Sequence, residues 1–137
     1  MLKKAFVLAT MASTLVPSVT IAQTSARSNY RVINVSNFVS QKQISGLTPN
    51  QAAVKLFGYQ GEEEGRRREQ IAVTYSRPDT AIVLLTKEGL ADDSLFAIKS
   101  RIEMRRAKNR WQVIWVGEQY KCHQGRGSQN WSAKLCS

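Results

Sequence analysis

Three acidic side chains that could perform acid–base chemistry lie close together in the sequence, at Glu88, Asp92 and Asp93. Glycosidases place their two carboxylates on opposite sides of a cleft, and neighbouring residues of one turn do not naturally reach that separation. An aspartate in a turn more commonly accepts hydrogen bonds from its own backbone. The segment therefore predicts a solvated turn, and an envelope hydrolase that uses these three carboxylates is the alternative.

The sequence contains a single histidine, His123, which directly follows Cys122. Nucleophilic catalysis needs a base within hydrogen-bond reach of the nucleophile, and a zinc site needs ligands at wider spacing. Cys122 and Cys136 are the only cysteines, so a disulfide between them is the natural interpretation in an oxidising compartment. We therefore predict no catalytic residue, no cofactor and no metal site.

Basic side chains form the stronger candidate for a binding surface. Six of them alternate along one predicted strand or crowd the turn after it, and a seventh lies between two glycines near the C-terminus: Lys99, Arg101, Arg105, Arg106, Lys108, Arg110 and Arg126. Such a surface favours an anionic envelope partner, such as lipid head groups or an acidic glycan, or a protein partner. Nucleic acid is disfavoured, because the neighbouring tryptophans fall on the inferred core face. A purely solubilising role for these charges is the alternative.

The N-terminus has the layout of a cleavable secretory signal peptide over residues 1–22. Lys3 and Lys4 precede a charge-free apolar run, and Ala22 fits the last position before a cleavage site. Polar residues and a proline interrupt that run before it reaches the length of a membrane span, so no transmembrane span is expected in the mature chain. The mature chain would carry 18 basic and 10 acidic residues, a net charge of +8, and would be secreted or periplasmic.

The elements that must position the charged residues follow from capping signals and periodicity. Thr48, Pro49 and Gln51 predict the start of a helix over 49–57, with Gly58 placed to end it. Alternating apolar residues then predict four strands, within 70–75, 81–85, 95–106 and 111–116. In the last strand Trp111, Val113 and Trp115 are expected to share the core face. Residues 30–44 have a patchy apolar pattern that does not decide between strand and helix.

One charged run, at 62–69, has acids four residues before arginines. That spacing is typical of ion pairs on a helix, although Gly65 interrupts it, so a solvated helix face or loop is expected.

These elements predict an α+β domain over 30–137, preceded by a flexible polar leader at 23–29. The expected architecture is a roll, with an N-terminal helix packed on a four-stranded antiparallel sheet, cystatin/NTF2-like in outline, and a C-terminal disulfide loop. A cystatin-like protease inhibitor is thus a further alternative, which rests on fold analogy alone.

Three segments have distinctive sequences: G-L-A-D-D-S at 89–94, W-Q-V-I-W-V-G-E-Q-Y-K-C at 111–122, and G-R-G-S-Q-N-W-S at 125–132, closed by Cys136. Together they resemble the corresponding segments of a group of small exported cyanobacterial proteins. The resemblance implies a bacterial extracytoplasmic setting. Because that group has no assigned activity, it implies no catalytic residue. The function expected from the sequence is that of an exported, non-catalytic binding or accessory protein with a basic contact surface.

Overall fold

The computed structural model describes residues 26–57 and 68–137. In this part of the chain the protein is α+β, with one five-stranded antiparallel sheet and two helices. The elements in chain order are β1 (Arg31–Ile33), α1 (Val35–Lys42), α2 (Pro49–Leu56), β2 (Arg68–Arg77), β3 (Thr80–Glu88), β4 (Leu95–Ala107) and β5 (Arg110–Cys122). The strand order across the sheet is β1-β5-β4-β3-β2.

The predicted α+β class, the antiparallel sheet and the disulfide are confirmed, whereas the expected count of four strands and one helix is wrong. The additional strand β1 and helix α1 both come from residues 30–44. Their boundary is Asn34, whose side chain caps α1 by accepting a hydrogen bond from the Asn37 amide at 2.9 Å. A strand of three residues is too short to display a period, which explains why the pattern was indecisive.

The predicted helix over 49–57 is present as α2 and begins as its sequence indicates. The Thr48 hydroxyl accepts from the Gln51 amide, and the Gln51 side chain accepts from the Thr48 amide, which completes a capping box. Pro49 occupies the first turn, where its missing N–H costs no hydrogen bond.

Several predictions fall outside the described residues. They are the signal peptide over 1–22, the first part of the leader, the helix stop at Gly58 and most of the charged run at 62–69. In the part of the chain that the structure does describe, no helix is long and apolar enough to cross a bilayer.

The two faces of the sheet differ in what covers them. On one side, called here the helix face, α1 packs against β5, and α2 packs against β2 and β3. The core lies between these layers and is built from buried apolar side chains: Phe38, Ile44, Ala52, Ala53, Leu56, Val83, Leu85, Ile102, Met104 and Val116. The opposite side, called here the open face, carries the charged residues that alternate with the core residues of β4.

A β-bulge in β5 changes which tryptophan faces the core. Val113 pairs with Met104 and Trp115 pairs with Glu103, so Ile114 is an extra residue in β5. Trp111 and Val113 pack against the core, but Trp115 is opposite Glu103 and therefore lies on the open face. The expectation that Trp111, Val113 and Trp115 share a face is wrong, because one inserted residue reverses the alternation.

The β2–β3 and β4–β5 hairpins turn at the same end of the sheet, and each has a two-residue turn. The β4–β5 turn places Lys108 and Asn109 at φ of 52° and 62°, the left-handed region that a type I′ turn requires. The β2–β3 turn consists of Pro78 and Asp79. The Arg106 amide donates to the Asp79 carbonyl at 2.8 Å, which ties the two hairpin ends together.

Candidate anion-binding site

Arginines from the two hairpins line one cleft on the open face, with a volume of about 410 Å³. Arg77 comes from the end of β2, and Arg101 and Arg105 come from β4. We call this cleft, together with its lining residues Ser76, Thr80 and Glu103, the arginine cleft. Its floor includes the apolar side chains of Ile82 and Ile114.

Strand register explains why Arg77 and Arg105 meet. Arg77 pairs with Thr80 across the β2–β3 turn, and Thr80 pairs with Arg105 in β4, so the three residues form one row. Both arginines are exposed. Sequence reasoning identified Arg105 and missed Arg77, which lies between the predicted strands at 70–75 and 81–85. The two-residue turn at Pro78 and Asp79 was the available signal, since turn length fixes the register of a hairpin.

Glu103 is the acidic group of the arginine cleft, and its charge is already matched. The Arg101 Nε donates to Glu103 Oε1 at 3.0 Å, and Arg27 donates through Nε to the same oxygen and through Nη2 to Oε2. Burial by itself raises the pKa of the Glu103 carboxyl, but these hydrogen bonds and positive charges outweigh it and hold that pKa below its ordinary value. Glu103 therefore stays ionised, and the arginine cleft keeps an excess of positive charge.

Arg27 belongs to the segment expected to be a flexible leader, yet it is anchored on the open face. Besides its contacts with Glu103, its guanidinium lies 4.9 Å from the ring centre of Trp115. Tyr30 meets the same indole edge to face at 5.9 Å. Sequence reasoning missed this role because Arg27 lies in a short polar stretch with no period.

The other predicted anion-binding residues near the β4–β5 turn do not line the arginine cleft with Arg105. Arg106 pairs with Trp111 and lies over its ring at 6.0 Å, which places Arg106 on the helix face. Lys108 lies in the turn itself, and Arg110 begins β5 beside a different groove.

Lys99 lies further along β4 and joins another group on the open face. Its ammonium is 4.2 Å from the ring centre of Trp131, and the ammonium of Lys121 is 4.7 Å from the same ring. Burial and, to a smaller extent, the charge of Lys121 lower the pKa of Lys99, against an opposing effect of Glu88. Lys99 therefore contacts the C-terminal segment and does not line the arginine cleft.

Arg126 lies in the C-terminal loop, at the other end of the sheet from the hairpin turns. The loop is closed by the Cys122–Cys136 disulfide, and Leu95 pairs with Cys122 at that end of β4. Over a strand of this length the separation from the β4–β5 turn is about 40 Å at the usual rise per residue. The Arg126 Nη1 donates to the main-chain oxygen of Ser137 at 3.3 Å. The structure thus does not bring Arg126 together with Arg105.

Glu88, Asp92 and Asp93 were the carboxylates of the alternative hydrolase site. Of these, Asp92 has a structural role in the turn before β4. Its Oδ1 accepts hydrogen bonds from the amides of Leu95 and Ser94, at 2.7 and 2.8 Å, and from the Ser94 hydroxyl. These bonds lower the pKa of the Asp92 carboxyl, with the Leu95 amide as the largest cause. A general acid needs the opposite shift. Asp92 therefore acts as a cap for the turn before β4.

Within residues 26–57 and 68–137, no three His, Cys, Asp or Glu side chains come together in a way that could hold a metal ion. No family model matches the chain, and neither the curated proteins nor the solved structures contain a match. The candidate site therefore stands on its own geometry.

Proposed function

We propose that the protein is an exported, non-catalytic binding protein and that the arginine cleft holds the phosphate or carboxylate groups of an anionic envelope component. The observation that carries the proposal is the convergence of Arg77 and Arg105, from two separate hairpins, on a cleft whose acid is already paired. Guanidinium groups present several donors in a fixed fork that matches such oxyanions.

The charge balance of the arginine cleft supports an anionic ligand. Glu103 is shared between Arg27 and Arg101, so it does not neutralise Arg77 or Arg105. A bound oxyanion would replace water as the partner of those two guanidiniums, without displacing the half-buried ion pairs of Glu103. The hydroxyl hydrogens of Ser76 and Thr80 are engaged with the Thr80 carbonyl and the Asp79 carboxylate, so the arginines are the donors that remain for a ligand.

The extracytoplasmic setting rests on the features of residues 1–22, on the resemblance to exported cyanobacterial proteins, and on the disulfide, which is compatible with export. Lipid head groups and acidic glycans are the two sources of suitable oxyanions in such a setting. A cystatin-like inhibitor stays an alternative without a supporting contact. The hydrolase alternative is disfavoured by the cap that Asp92 provides.

The test compares two double variants that remove the same charge. R77Q/R105Q alters the arginine cleft, whereas R68Q/K134Q removes one charge from the start of β2 and one from the C-terminal loop, at the other end of the sheet. Binding is measured by co-sedimentation with phosphatidylglycerol vesicles and, separately, with an acidic polysaccharide, each over a range of salt concentrations. Phosphatidylcholine vesicles and a neutral polysaccharide serve as ligand controls.

We expect R77Q/R105Q to weaken binding to one of the two anionic ligands at least roughly tenfold, since each charged contact contributes on the order of 1 kcal/mol or more. For a polyanion, it should also reduce the slope of log affinity against log salt by about 2. The ligand affected identifies the source of the oxyanion. Equal losses from R77Q/R105Q and R68Q/K134Q, or no binding to either anionic ligand, would overturn the proposal.

A further inference from the structure

The outer edge of β5 is only partly paired. β1 covers residues 116–118, and Tyr120 forms a bridge with Ser132 further along. Among the described strands none lies beside residues 110–114, so their outward backbone groups form a free edge about 15 Å long at the usual rise per residue. Such an edge is a ready template for an additional strand.

A groove of about 330 Å³ runs beside this free edge, between α1 and the start of β5. Its apolar lining includes Val39 from α1, Ile44 from the loop after α1, and Trp111 and Val113 from β5. Among the described residues, Arg110 is the one charged member of that lining. We call this cavity between α1 and the start of β5 the β5 groove.

We propose that the β5 groove binds the C-terminal end of an extended peptide, which adds a strand to β5 and places its terminal carboxylate beside Arg110. Main-chain hydrogen bonds to a strand edge supply affinity in this mode, and pockets for alternate side chains supply selectivity. The residues involved differ from those of the arginine cleft, so the proposal stands independently of the proposed function.

The direction of the added strand follows from β1 and from charge. β1 is antiparallel to β5 and runs from Glu118 towards Val116, which is towards the β4–β5 turn. A peptide that continues in this direction ends at Arg110. In the parallel direction its ammonium group would meet Arg110, and its carboxylate would point at the position where the chain already enters α1. The positive charge at Arg110 therefore selects an antiparallel peptide with a free carboxylate.

Alternation along β5 defines the side chains that the peptide should carry. Trp111 and Val113 lie on the helix face, two residues apart, and both line the β5 groove. Side chains of directly opposed residues point to the same face. The preferred peptide thus has two apolar side chains separated by one residue, near its C-terminus.

The test uses the tetrapeptide threonine-valine-threonine-valine, which matches Trp111 to Ile114 on the free edge and carries fluorescein on a flexible linker at its N-terminus. Its affinity for the full chain is measured by fluorescence anisotropy, as the free acid and as the C-terminal amide. The protein variants are R110Q, R110K, and S36W, which fills the groove from an exposed position on α1. R68Q is the matched control, because it removes one exposed arginine at the other end of the sheet.

We expect the free acid to bind about tenfold more tightly than the amide, because the charged contact to Arg110 contributes on the order of 1.4 kcal/mol. R110Q should lose the same factor and S36W should lose most binding, whereas R110K should keep part of the affinity and R68Q all of it.

The amide chemical shifts of the protein show where the peptide binds. When the peptide is added, we expect changes at residues 110–114. Changes centred on Thr80 and Arg105 would mean that the carboxylate enters the arginine cleft, and they would overturn the proposal. Equal affinities for acid and amide would also overturn it, as would no binding up to about 1 mM, which corresponds to about 4 kcal/mol.

Discussion

The indole of Trp115 occupies the space beside Gly117 that a side chain at that position would need. A methyl group at Gly117 would overlap the Trp115 ring and would lie 2.8 Å from Tyr30 Cβ. Trp115 and Gly117 lie two residues apart on the same face of β5. Because Gly117 has no side chain, the Trp115 ring has room to lie beside it.

We therefore predict that Gly117→Ala lowers the free energy of unfolding by about 1–3 kcal/mol, the usual cost of overpacking. Denaturant unfolding measures the change. In a Trp115→Leu background, where the ring is absent, the same substitution should cost clearly less. An equal cost in both backgrounds would show that the ring is not the cause.

The second prediction concerns acid stability and Glu103, whose side chain is 6 % exposed. Its pKa is lower in the folded protein than the ordinary value of 4.5. The ion pairs therefore stabilise the fold fully above that ordinary value, and this contribution is lost as the pH falls through the lower folded pKa. Glu103→Gln should destabilise the protein by about 2 kcal/mol at neutral pH, since it weakens hydrogen bonds between charged groups.

Urea unfolding at a series of acidic pH values measures this dependence. Glu103→Gln should make the decline of stability below about pH 4.5 shallower, although Asp92 contributes to the same decline. Asp93→Asn, in the exposed turn, is the control and should leave the stability close to that of the parent chain. An unchanged decline in Glu103→Gln would contradict the assignment.

The third prediction concerns alkaline pH and Tyr120. Burial raises the pKa of this phenol far above its ordinary value of 10.0, and the charge of Glu118 raises it further. Tyr120 Oη donates to Glu118 Oε2 at 2.8 Å. Because the folded pKa is higher than the unfolded one, the stabilisation is complete below about pH 10 and is lost as the pH rises through the folded value.

Phenolate absorbance during an alkaline titration should accordingly show a late step that accompanies unfolding. Tyr120→Phe should make that step smaller, and the remainder belongs to Tyr30, whose pKa is also raised by burial. Tyr75→Phe, at an exposed position, is the control. The late step would have another origin if Tyr120→Phe retained its full amplitude.

The fourth prediction concerns the disulfide, which links cysteines 14 residues apart. Replacing Cys122 and Cys136 by Ser should lower the free energy of unfolding by about 3 kcal/mol in the chain-entropy model and the Tm by roughly 10 °C. Trp131 should also lose its contacts with Lys99 and Lys121, which tryptophan fluorescence detects. A Tm that does not respond to reduction of the disulfide would refute this expectation.

The sequence predicted the parts of the fold that repeat a period or carry a local signal. The capping box at Thr48 defined α2, and alternation located β2 to β5, because both signals depend only on neighbouring residues. β1 and the bulge at Ile114 left no such signal. A single inserted residue moved Trp115 to the opposite face, and no local propensity marks that insertion.

The candidate site was predicted less completely than the fold. Arg105 was identified from the density of charge near the β4–β5 turn, but that density does not distinguish one face of a hairpin from the other. Arg77 reaches the arginine cleft through strand register, for which the Pro78–Asp79 turn was the local signal. Arg27 reaches Glu103 through a contact between residues 76 positions apart, and such a contact depends on tertiary structure, which composition and spacing do not encode.

The short strand β1 also determines how the domain responds to tension. Its first residue, Arg31, pairs with Glu118, close to the end of β5 where the disulfide fastens the C-terminal segment to Cys122. A load applied between Arg31 and Cys122 therefore pulls on β1 and β5 from the same side. The hydrogen bonds between antiparallel strands then open one after another instead of sharing the load. This domain should thus yield at low force along that axis, whatever its resistance to heat.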